Sequence, residues 1–172
     1  MIGITHFQSP IGMLTITVFN ETVGKISFGN DSKNSLNKLY RHQLDGKIVY
    51  RSSFTQHVEK QILSFLDGRC HSLDFPVVHI NTPFRKRVLE VERKIPYGET
   101  RSYGEIAKMI ESPNGSRAVG CANSRNPLPL YFPCHRIILS NGKLGGYGGG
   151  LKVKKYLLDL ESSLCSKSYD KQ

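Results

Sequence analysis

The chain lacks long apolar runs. No stretch of its 172 residues approaches the roughly 18 consecutive apolar residues that a membrane-spanning helix needs. The opening residues, MIGITHFQSP, also lack the basic segment followed by an apolar segment that is typical of a secretory signal. We therefore expect a cytoplasmic protein, associated with the nucleoid if the source is prokaryotic.

Closely spaced cysteine pairs are also missing. In a reducing compartment, isolated cysteines predict free thiols rather than disulfides. Structural zinc sites need paired ligands a few residues apart, whereas this chain places Cys directly before His at 70–71 and 134–135, which is awkward for chelation by both. We expect no metal and no other cofactor. The four cysteines are Cys70, Cys121, Cys134 and Cys165.

Acidic residues are scarce relative to basic ones. The chain has 14 Asp and Glu against 24 Lys and Arg, which gives a net charge of +10. A basic surface attracts polyanions, so nucleic acid is the leading class of partner. Basic residues cluster only partly, as at Arg85–Arg87 and Lys152–Lys155, and the excess also fits a role in solubility alone.

Strand patterns fill the first third of the chain. Residues 13–19 alternate apolar residues with threonine, residues 24–29 follow as in a meander, and residues 46–53 are a candidate third strand. An apolar stripe then predicts a helix from Phe54 to Leu66. A connector at 72–83 separates an N-terminal α/β domain, residues 1–79, from a C-terminal domain, residues 80–172.

The C-terminal part has helical periodicity. A helix is predicted to begin at Pro83, and two short helices follow at 103–110 and 116–124. In the second, Ser116 is the expected cap, with Ala118, Val119 and Ala122 facing inward. This spacing outlines a helix-turn-helix, whose second helix contacts DNA. An ordinary helical hairpin has the same spacing and remains open.

A glycine-rich segment and a last helix end the chain. The glycines at 145–150 allow the backbone to approach a flat or bulky group closely. The last helix is predicted over Leu151 to Glu161. Its expected buried residues are Val153, Tyr156, Leu157 and Leu160, and its expected exposed residues are Lys152, Lys154 and Lys155.

The segment FPCHRI places Cys134 beside a histidine and an arginine. An ordinary thiol is only about 3% ionised at neutral pH, so a nucleophilic cysteine needs a nearby cation or base. Neighbours in an extended chain point to opposite faces, so help from His135 requires a tight turn or a bridging water. Glu161, which continues the apolar stripe of the last helix, is the candidate to orient that histidine, and a solvated acid at the helix end is the commoner alternative for such a residue. Burial as a small hydrophobe is the alternative for Cys134, and it is the expected state of Cys121.

The region from Pro83 to Glu161 resembles the O6-alkylguanine-DNA alkyltransferase family. The motifs that carry the resemblance are IPYGETRSYGEIA, the Arg-Ala-Val-Gly helix start, the Asn-Pro pair, the PCHR core and the Gly-Gly-Leu-x-Val-Lys helix start. These motifs occur in matching order and spacing. PCHR alone would not be specific.

The resemblance implies a role for each matching residue. Cys134 would take the alkyl group from O6 of guanine, His135 would draw the thiol proton through a water, and Glu161 would orient His135. Asn126 would tie the second short helix to the cysteine segment, and Tyr103 would support the departing base near N3. The implied substrate- and DNA-binding residues are Arg117, which would fill the gap left by the flipped nucleotide, Tyr147, Ala118, Gly120, Cys121, Ser140 and Gly148.

The resemblance also implies a fold and a partner. The fold class is α+β: an N-terminal three-stranded antiparallel sheet with helices, similar to ribonuclease H, and a C-terminal helical domain with a winged helix-turn-helix. The partner is double-stranded DNA containing O6-alkylguanine, with O4-alkylthymine as a second candidate lesion. The small residues of the second short helix suit minor-groove binding. A monomer is expected, and cooperative binding on DNA is left open.

Two other functions remain open at this point. A non-enzymatic binder would recognise the damaged base without transfer, although relatives of that kind lack the cysteine that this chain retains. A thiol hydrolase using Cys134 and His135 would turn over repeatedly, whereas a stable thioether permits one event per molecule.

Overall fold

The computed structural model describes residues 2–29, 48–50, 52–80 and 82–169. The chain divides into two compact units, residues 1–78 and 79–172. Within the described ranges, no helix is both long enough and apolar enough to span a bilayer.

The first unit is built on a β-sheet. Strands β1 (Ile2–Ser9), β2 (Gly12–Phe19) and β3 (Thr22–Phe28) form an antiparallel meander, and β4 (Ile48–Tyr50) adds in parallel to β1. The strand order is β3-β2-β1-β4. The predicted α+β class with three antiparallel strands is confirmed.

The sequence patterns located two of these strands well and misplaced the third. The strands predicted at 13–19 and 24–29 correspond to β2 and β3. The segment 46–53 contains β4, with positions 46, 47 and 51 outside the described residues, but the third antiparallel strand is β1. β1 was missed because its first four residues are all buried, so burial alternates only in its second half.

Helix α1 (Ser53–Leu66) packs against β1 and β2. Ser52 caps it by accepting a hydrogen bond from the backbone N–H of Thr55 at 3.2 Å. Its inner face carries Val58 and Ile62, which are fully buried. The helix ends at Asp67-Gly68 as predicted, and Gly68 adopts a positive φ of 71°.

The second unit is mainly helical. Its elements are α2 (Pro83–Arg93), β5 (Arg101–Ser102), α3 (Tyr103–Met109), α4 (Ser116–Ser124), a 3₁₀ turn (Cys134–Arg136), β6 (Ile137–Ile138) and α5 (Leu151–Tyr169). Helices α2, α3 and α4 pack on one another around a shared apolar core. That core consists of Val88, Ile95, Ile106, Ala107, Ile110, Val119, Ala122 and Ile137.

Helices α3 and α4 form the predicted helix-turn-helix pair. Ser102 and Glu105 form a capping box at the start of α3, with Glu105 N–H donating to Ser102 Oγ at 3.2 Å and Ser102 N–H donating to Glu105 Oε2 at 2.7 Å. The predicted cap of α4 is wrong: Gly115 occupies the cap position, and Ser116 is the first helical residue.

The two faces of α4 differ from the predicted ones at two positions. Val119 and Ala122 are buried as predicted, but Ala118 is exposed. Cys121 is exposed as well, so the expectation that it fills the core is wrong. The exposed face of α4 therefore carries Arg117, Ala118 and Cys121 in close succession.

A short parallel ladder fixes the cysteine segment relative to the helix-turn-helix. Arg101 lies opposite Ile137, and Ser102 lies opposite Ile138. Because β5 leads directly into α3 and β6 directly follows the 3₁₀ turn, the ladder holds the start of α3 beside the end of that turn. Tyr103 and Cys134 are brought together in this way.

Candidate active site

Cys134 begins the 3₁₀ turn that follows Pro133. The Arg136 N–H donates to the Pro133 carbonyl at 2.9 Å, which closes a tight turn at Cys134 and His135. The Cys134 side chain is 7% exposed, and it lines a cavity of about 580 Å³. Cys134 is therefore a buried thiol with open space beside it.

Asn126 links the end of α4 to the cysteine segment. Its Nδ2 donates to the Phe132 carbonyl at 3.0 Å and to Cys134 Sγ at 3.3 Å, while its Oδ1 accepts from the Leu128 N–H at 2.9 Å. One amide thus orders the loop between α4 and the turn and also contacts the thiol sulfur. The asparagine lies where the resemblance implied it would.

His135 and Arg136 both bind the carboxylate of Glu161, which reaches the turn from α5. His135 Nε2 lies 2.7 Å from Glu161 Oε1, Arg136 donates to the two carboxylate oxygens at 2.8 and 2.9 Å, and the backbone N–H of Gly98 donates at 3.0 Å. The Glu161 side chain is 1% exposed. A buried carboxylate with four donors is fully satisfied.

The ionisation of this cluster follows from its contacts. Burial acts to raise the pKa of Glu161, but the hydrogen bonds from His135 and Arg136 outweigh it and hold the pKa at about 2. Burial lowers the pKa of His135, so its imidazole is neutral at pH 7. Because the carboxylate only accepts hydrogen bonds, Nε2 carries the proton and Nδ1 is the basic nitrogen.

The Cys134 thiol is held in its neutral form. Burial, followed by the nearby charge of Glu92, raises its pKa to about 12, while the Asn126 hydrogen bond and the charge of Lys154 act in the opposite direction. A free thiolate is therefore scarce at neutral pH. The thiol can react only if its proton leaves as the sulfur attacks, which makes a neighbouring base necessary.

The cavity beside Cys134 gathers several of the residues predicted for substrate binding. Tyr103 lies between α4 and the glycine-rich segment: a Cβ on Gly120 would come within 3.8 Å of its ring, and one on Gly145 within 3.3 Å of its hydroxyl. Gly145 also has a positive φ of 68°. Of the predicted residues, Tyr103, Arg117, Gly120, Cys134, Tyr147 and Gly148 line the cavity.

Three of the residues predicted for substrate or DNA binding lie elsewhere. Ser140 is exposed and does not line the cavity. Ala118 and Cys121 are on the exposed face of α4, also outside the cavity lining. These three side chains are available to a partner at the surface rather than to a molecule inside the cavity.

The sequence analysis missed several residues that line the cavity and misplaced two residues of the last helix. Asn123 lines the cavity, and Lys154 is fully buried although it was expected to face solvent. Lys154 Nζ donates to the carbonyls of Ile137 at 2.5 Å and Gly146 at 3.3 Å, which joins α5 to β6 and to the glycine-rich segment. Tyr156, expected to be buried, is 37% exposed. The buried face of α5 therefore includes Lys154 and leaves Tyr156 partly exposed, unlike the face that the apolar pattern indicated.

Comparison with known proteins decides the family. A family model described as "6-O-methylguanine DNA methyltransferase, DNA binding domain" matches residues 83–163. A methylated-DNA–protein-cysteine methyltransferase of Methanosarcina acetivorans is 40% identical over 157 residues, which cover 91% of this chain and 96% of that protein. The chain belongs to the methylated-DNA–protein-cysteine methyltransferase family.

Solved structures of methylated-DNA–protein-cysteine methyltransferases resemble both units. The Mycobacterium tuberculosis OGT in complex with DNA matches with a TM-score of 0.79 and 36% identity over 94% of this chain and 93% of that chain. The O6-methylguanine-DNA methyltransferase of Pyrococcus kodakaraensis matches with a TM-score of 0.70 and 28% identity over 94% of this chain and 99% of that chain. The family resemblance thus extends well beyond the region from Pro83 to Glu161 that carried it in the sequence.

Proposed function

We propose that this protein repairs O6-alkylguanine in double-stranded DNA by transferring the alkyl group to Cys134. The observation that carries the proposal is the cavity of about 580 Å³ that Cys134 shares with Arg117 and Tyr147, in a chain of this family. The cavity gives an extruded base a place beside the sulfur. Relatives named methylated-DNA–protein-cysteine methyltransferase support the same chemistry here.

The target base must leave the duplex before it can react. O6 of a stacked, paired guanine is out of reach of a buried thiol that lines a cavity, so the nucleotide has to rotate out at a cost of a few kcal/mol. Arg117, the exposed second residue of α4, lines the cavity and can occupy the gap left in the stack. Contacts between the cavity and the extruded base offset the cost.

The transfer breaks the bond between O6 and the alkyl carbon and forms a bond from that carbon to Cys134 Sγ. The thiol proton passes through a water to Nδ1 of the neutral His135, and the Glu161 carboxylate stabilises the imidazolium that forms. The electron pair of the broken bond goes to guanine, which takes up a proton at N1 from solvent, and the imidazolium of His135 returns its proton to solvent. The products are a thioether on the protein and an unmodified base, so each molecule reacts once.

Tyr103 is the residue that we assign to the leaving guanine. Burial, with the nearby charges of Cys134 and Glu92, raises the pKa of its phenol, so the hydroxyl keeps its proton at neutral pH. A hydrogen bond from this hydroxyl to N3 of the base would disperse the developing negative charge. Tyr147, whose pKa is also raised, mainly by burial, would enclose the other side of the base.

DNA would be bound mainly through its backbone. The exposed face of α4 presents small side chains at Ala118 and Cys121, which lets a helix backbone approach phosphates and sugars in the minor groove. The net charge of +10 supports contacts that do not depend on sequence and that weaken steeply with salt. The M. tuberculosis relative was crystallised in complex with DNA, which supports DNA as the partner of this chain.

Arg117→Ala should slow repair of duplex DNA about tenfold or more while leaving transfer from a free O6-alkylguanine base within about twofold of the wild type. The free base needs no extrusion and so has no need of the arginine. Single-turnover rates on the two substrates measure this difference. Arg125→Ala is the matched control, because Arg125 is exposed at the other end of α4 and does not line the cavity. Equal losses on the two substrates would refute the role of Arg117 in extrusion.

The stoichiometry of the reaction tests the proposed function as a whole. With methylated duplex in excess, we expect one guanine to be restored per protein molecule and the reaction then to stop, because the thioether does not hydrolyse. Chromatography of the digested DNA measures the restored guanine. Repeated turnover would favour a thiol hydrolase, and binding without restored guanine would favour a damage sensor.

A further inference from the structure

A second buried carboxyl, Glu92, lies near the candidate active site. Glu92 is the penultimate residue of α2, and it is fully buried. The same helix contributes Val88 to the apolar core. Among the described residues, neither of its carboxyl oxygens makes a hydrogen bond of normal geometry. Burying an ionised carboxylate without hydrogen bonds costs folding free energy, so such a group is expected to be neutral or to have a functional role.

Polar groups from four other elements surround this carboxyl. Asn123 of α4 lies close enough to lower the pKa of Glu92, yet both polar atoms of its amide, like the carboxyl oxygens, lack hydrogen bonds of normal geometry within the described part of the chain. Lys154 of α5 is buried, and its charge interacts with Glu92. The remaining groups that respond to the charge of Glu92 are Tyr103 of α3 and Cys134 of the 3₁₀ turn.

Asn123 connects Glu92 to the cavity. The asparagine lines the cavity together with Cys134 and Tyr103. Glu92 does not line the cavity and has no exposed surface. Glu92 therefore cannot touch a base in the cavity. Any effect that it has on the reaction must pass through the residues that do line the cavity.

We propose that Glu92 is a positioning residue that sets the reactivity of Cys134: the neutral carboxyl leaves the field of Lys154 free to favour the thiolate, and the ionised carboxylate cancels that field. The proposal rests on the proposed function only in taking Cys134 as the reacting thiol. Lys154 is a buried cation held by two carbonyl groups, so it stays in place when the charge of Glu92 changes.

The order of ionisation agrees with this arrangement. Burial raises the pKa of Glu92 to about 8, against the effects of Asn123 and Lys154, so the carboxyl is mostly neutral at pH 7. The pKa of Cys134 is about 12. As pH rises, Glu92 therefore ionises first, and the small fraction of thiolate present near neutral pH forms beside a neutral carboxyl.

The test is the rate at which iodoacetamide alkylates Cys134 between about pH 6 and about pH 10. The sulfur displaces iodide, and digestion followed by mass spectrometry quantifies the Cys134 peptide separately from the other three cysteines. For the wild type, the rate should rise about tenfold per pH unit up to about pH 8 and then less steeply over the next unit. For Glu92→Gln, the rise should continue without a bend, so that the variant reacts about tenfold faster than the wild type near pH 9 and within about twofold near pH 6.5.

Glu90→Gln is the matched control, because Glu90 lies on the same helix, is exposed and pairs with Lys86. It should reproduce the wild-type profile. A Glu92→Gln profile that matches the wild type would overturn the proposal. So would a wild-type profile with no bend near pH 8, a result that does not depend on whether the variant folds.

The outcome is separable from that of the proposed function. Iodoacetamide needs no DNA. A bend near pH 8 in the alkylation profile of a protein that accepts no methyl group from DNA would therefore support the role of Glu92 and refute the repair assignment. Repair of DNA by a protein whose alkylation profile shows no bend would support the repair assignment and refute the role of Glu92.

Discussion

Cys134→Ser abolishes alkyl transfer, with an expected loss of at least about 1000-fold, and leaves DNA affinity within about twofold of the wild type. Serine keeps a side chain of similar shape that can still accept the Asn126 hydrogen bond. Its hydroxyl, however, is a far weaker acid and nucleophile than a thiol. Binding survives because the exposed face of α4, which carries Arg117, is unchanged.

Two measurements check this prediction. Transfer of a labelled methyl group from duplex DNA to protein gives the loss of reaction, and fluorescence anisotropy with the same duplex gives the affinity. Cys121→Ser is the control, since Cys121 is an exposed thiol on the proposed DNA-binding helix. It should retain transfer. Residual transfer by Cys134→Ser, or loss of binding together with transfer, would contradict the assignment.

Glu161→Gln lowers the free energy of unfolding by about 3 to 5 kcal/mol at pH 7, because it leaves Arg136 as a buried cation without its carboxylate. The same change removes the group that orients His135, so transfer is expected to fall as well. Asp159→Asn is the matched control: Asp159 lies on the same helix, is 63% exposed and pairs with Lys155. Its effect should stay within about 0.5 kcal/mol. Urea denaturation followed by circular dichroism measures both variants.

The pH dependence of the Glu161 effect has a definite sign. The pKa of Glu161 is about 2 in the folded protein, whereas its ordinary value, which applies to the unfolded chain, is 4.5. Its contribution to stability is therefore complete above about pH 4.5 and is lost as pH falls towards about 2, a change of about 3 kcal/mol. The gap between wild type and Glu161→Gln should narrow over that window. A variant as stable as Asp159→Asn at pH 7 would contradict the account.

The sequence located the central features of the candidate site because each had a local signal. Help from His135 was expected to need a tight turn or a bridging water, and Cys134–Arg136 forms a tight turn. Glu161 lay on the inward stripe of the last helix, and it does bind His135. The family motifs supplied Tyr103, Arg117 and Tyr147, which all line the cavity with Cys134.

Two of the residues that the sequence misjudged, Lys154 and Glu92, have ionisable side chains that are buried. Local patterns assign a lysine or glutamate to the surface, because an unpaired buried charge is costly. Lys154 is buried because its ammonium group reaches the carbonyls of Ile137 and Gly146, which are distant in sequence. Glu92 is buried because the helix face that packs against α4 includes it, and burial raises its pKa until it is mostly neutral.

The strand β1 was missed for a related reason. A central strand that is covered on both faces does not alternate between apolar and polar residues. In β1, residues 2–5 are all buried, Thr5 among them, whereas His6 and Gln8 are exposed, so neither face of the strand is uniformly apolar in the sequence. This strand is defined by its pairing with β2 on one side and β4 on the other. A local sequence pattern does not show which strands pair.

Mass spectrometry of the wild-type protein after reaction with methylated duplex DNA tests the central claim most directly. We expect the intact protein to gain one methyl group in place of one hydrogen, and digestion to locate that gain entirely on the peptide containing Cys134. A methyl group on Cys121, Cys70 or Cys165 instead, or restored guanine with no gain in protein mass, would contradict the claim that the Cys134 sulfur is the acceptor.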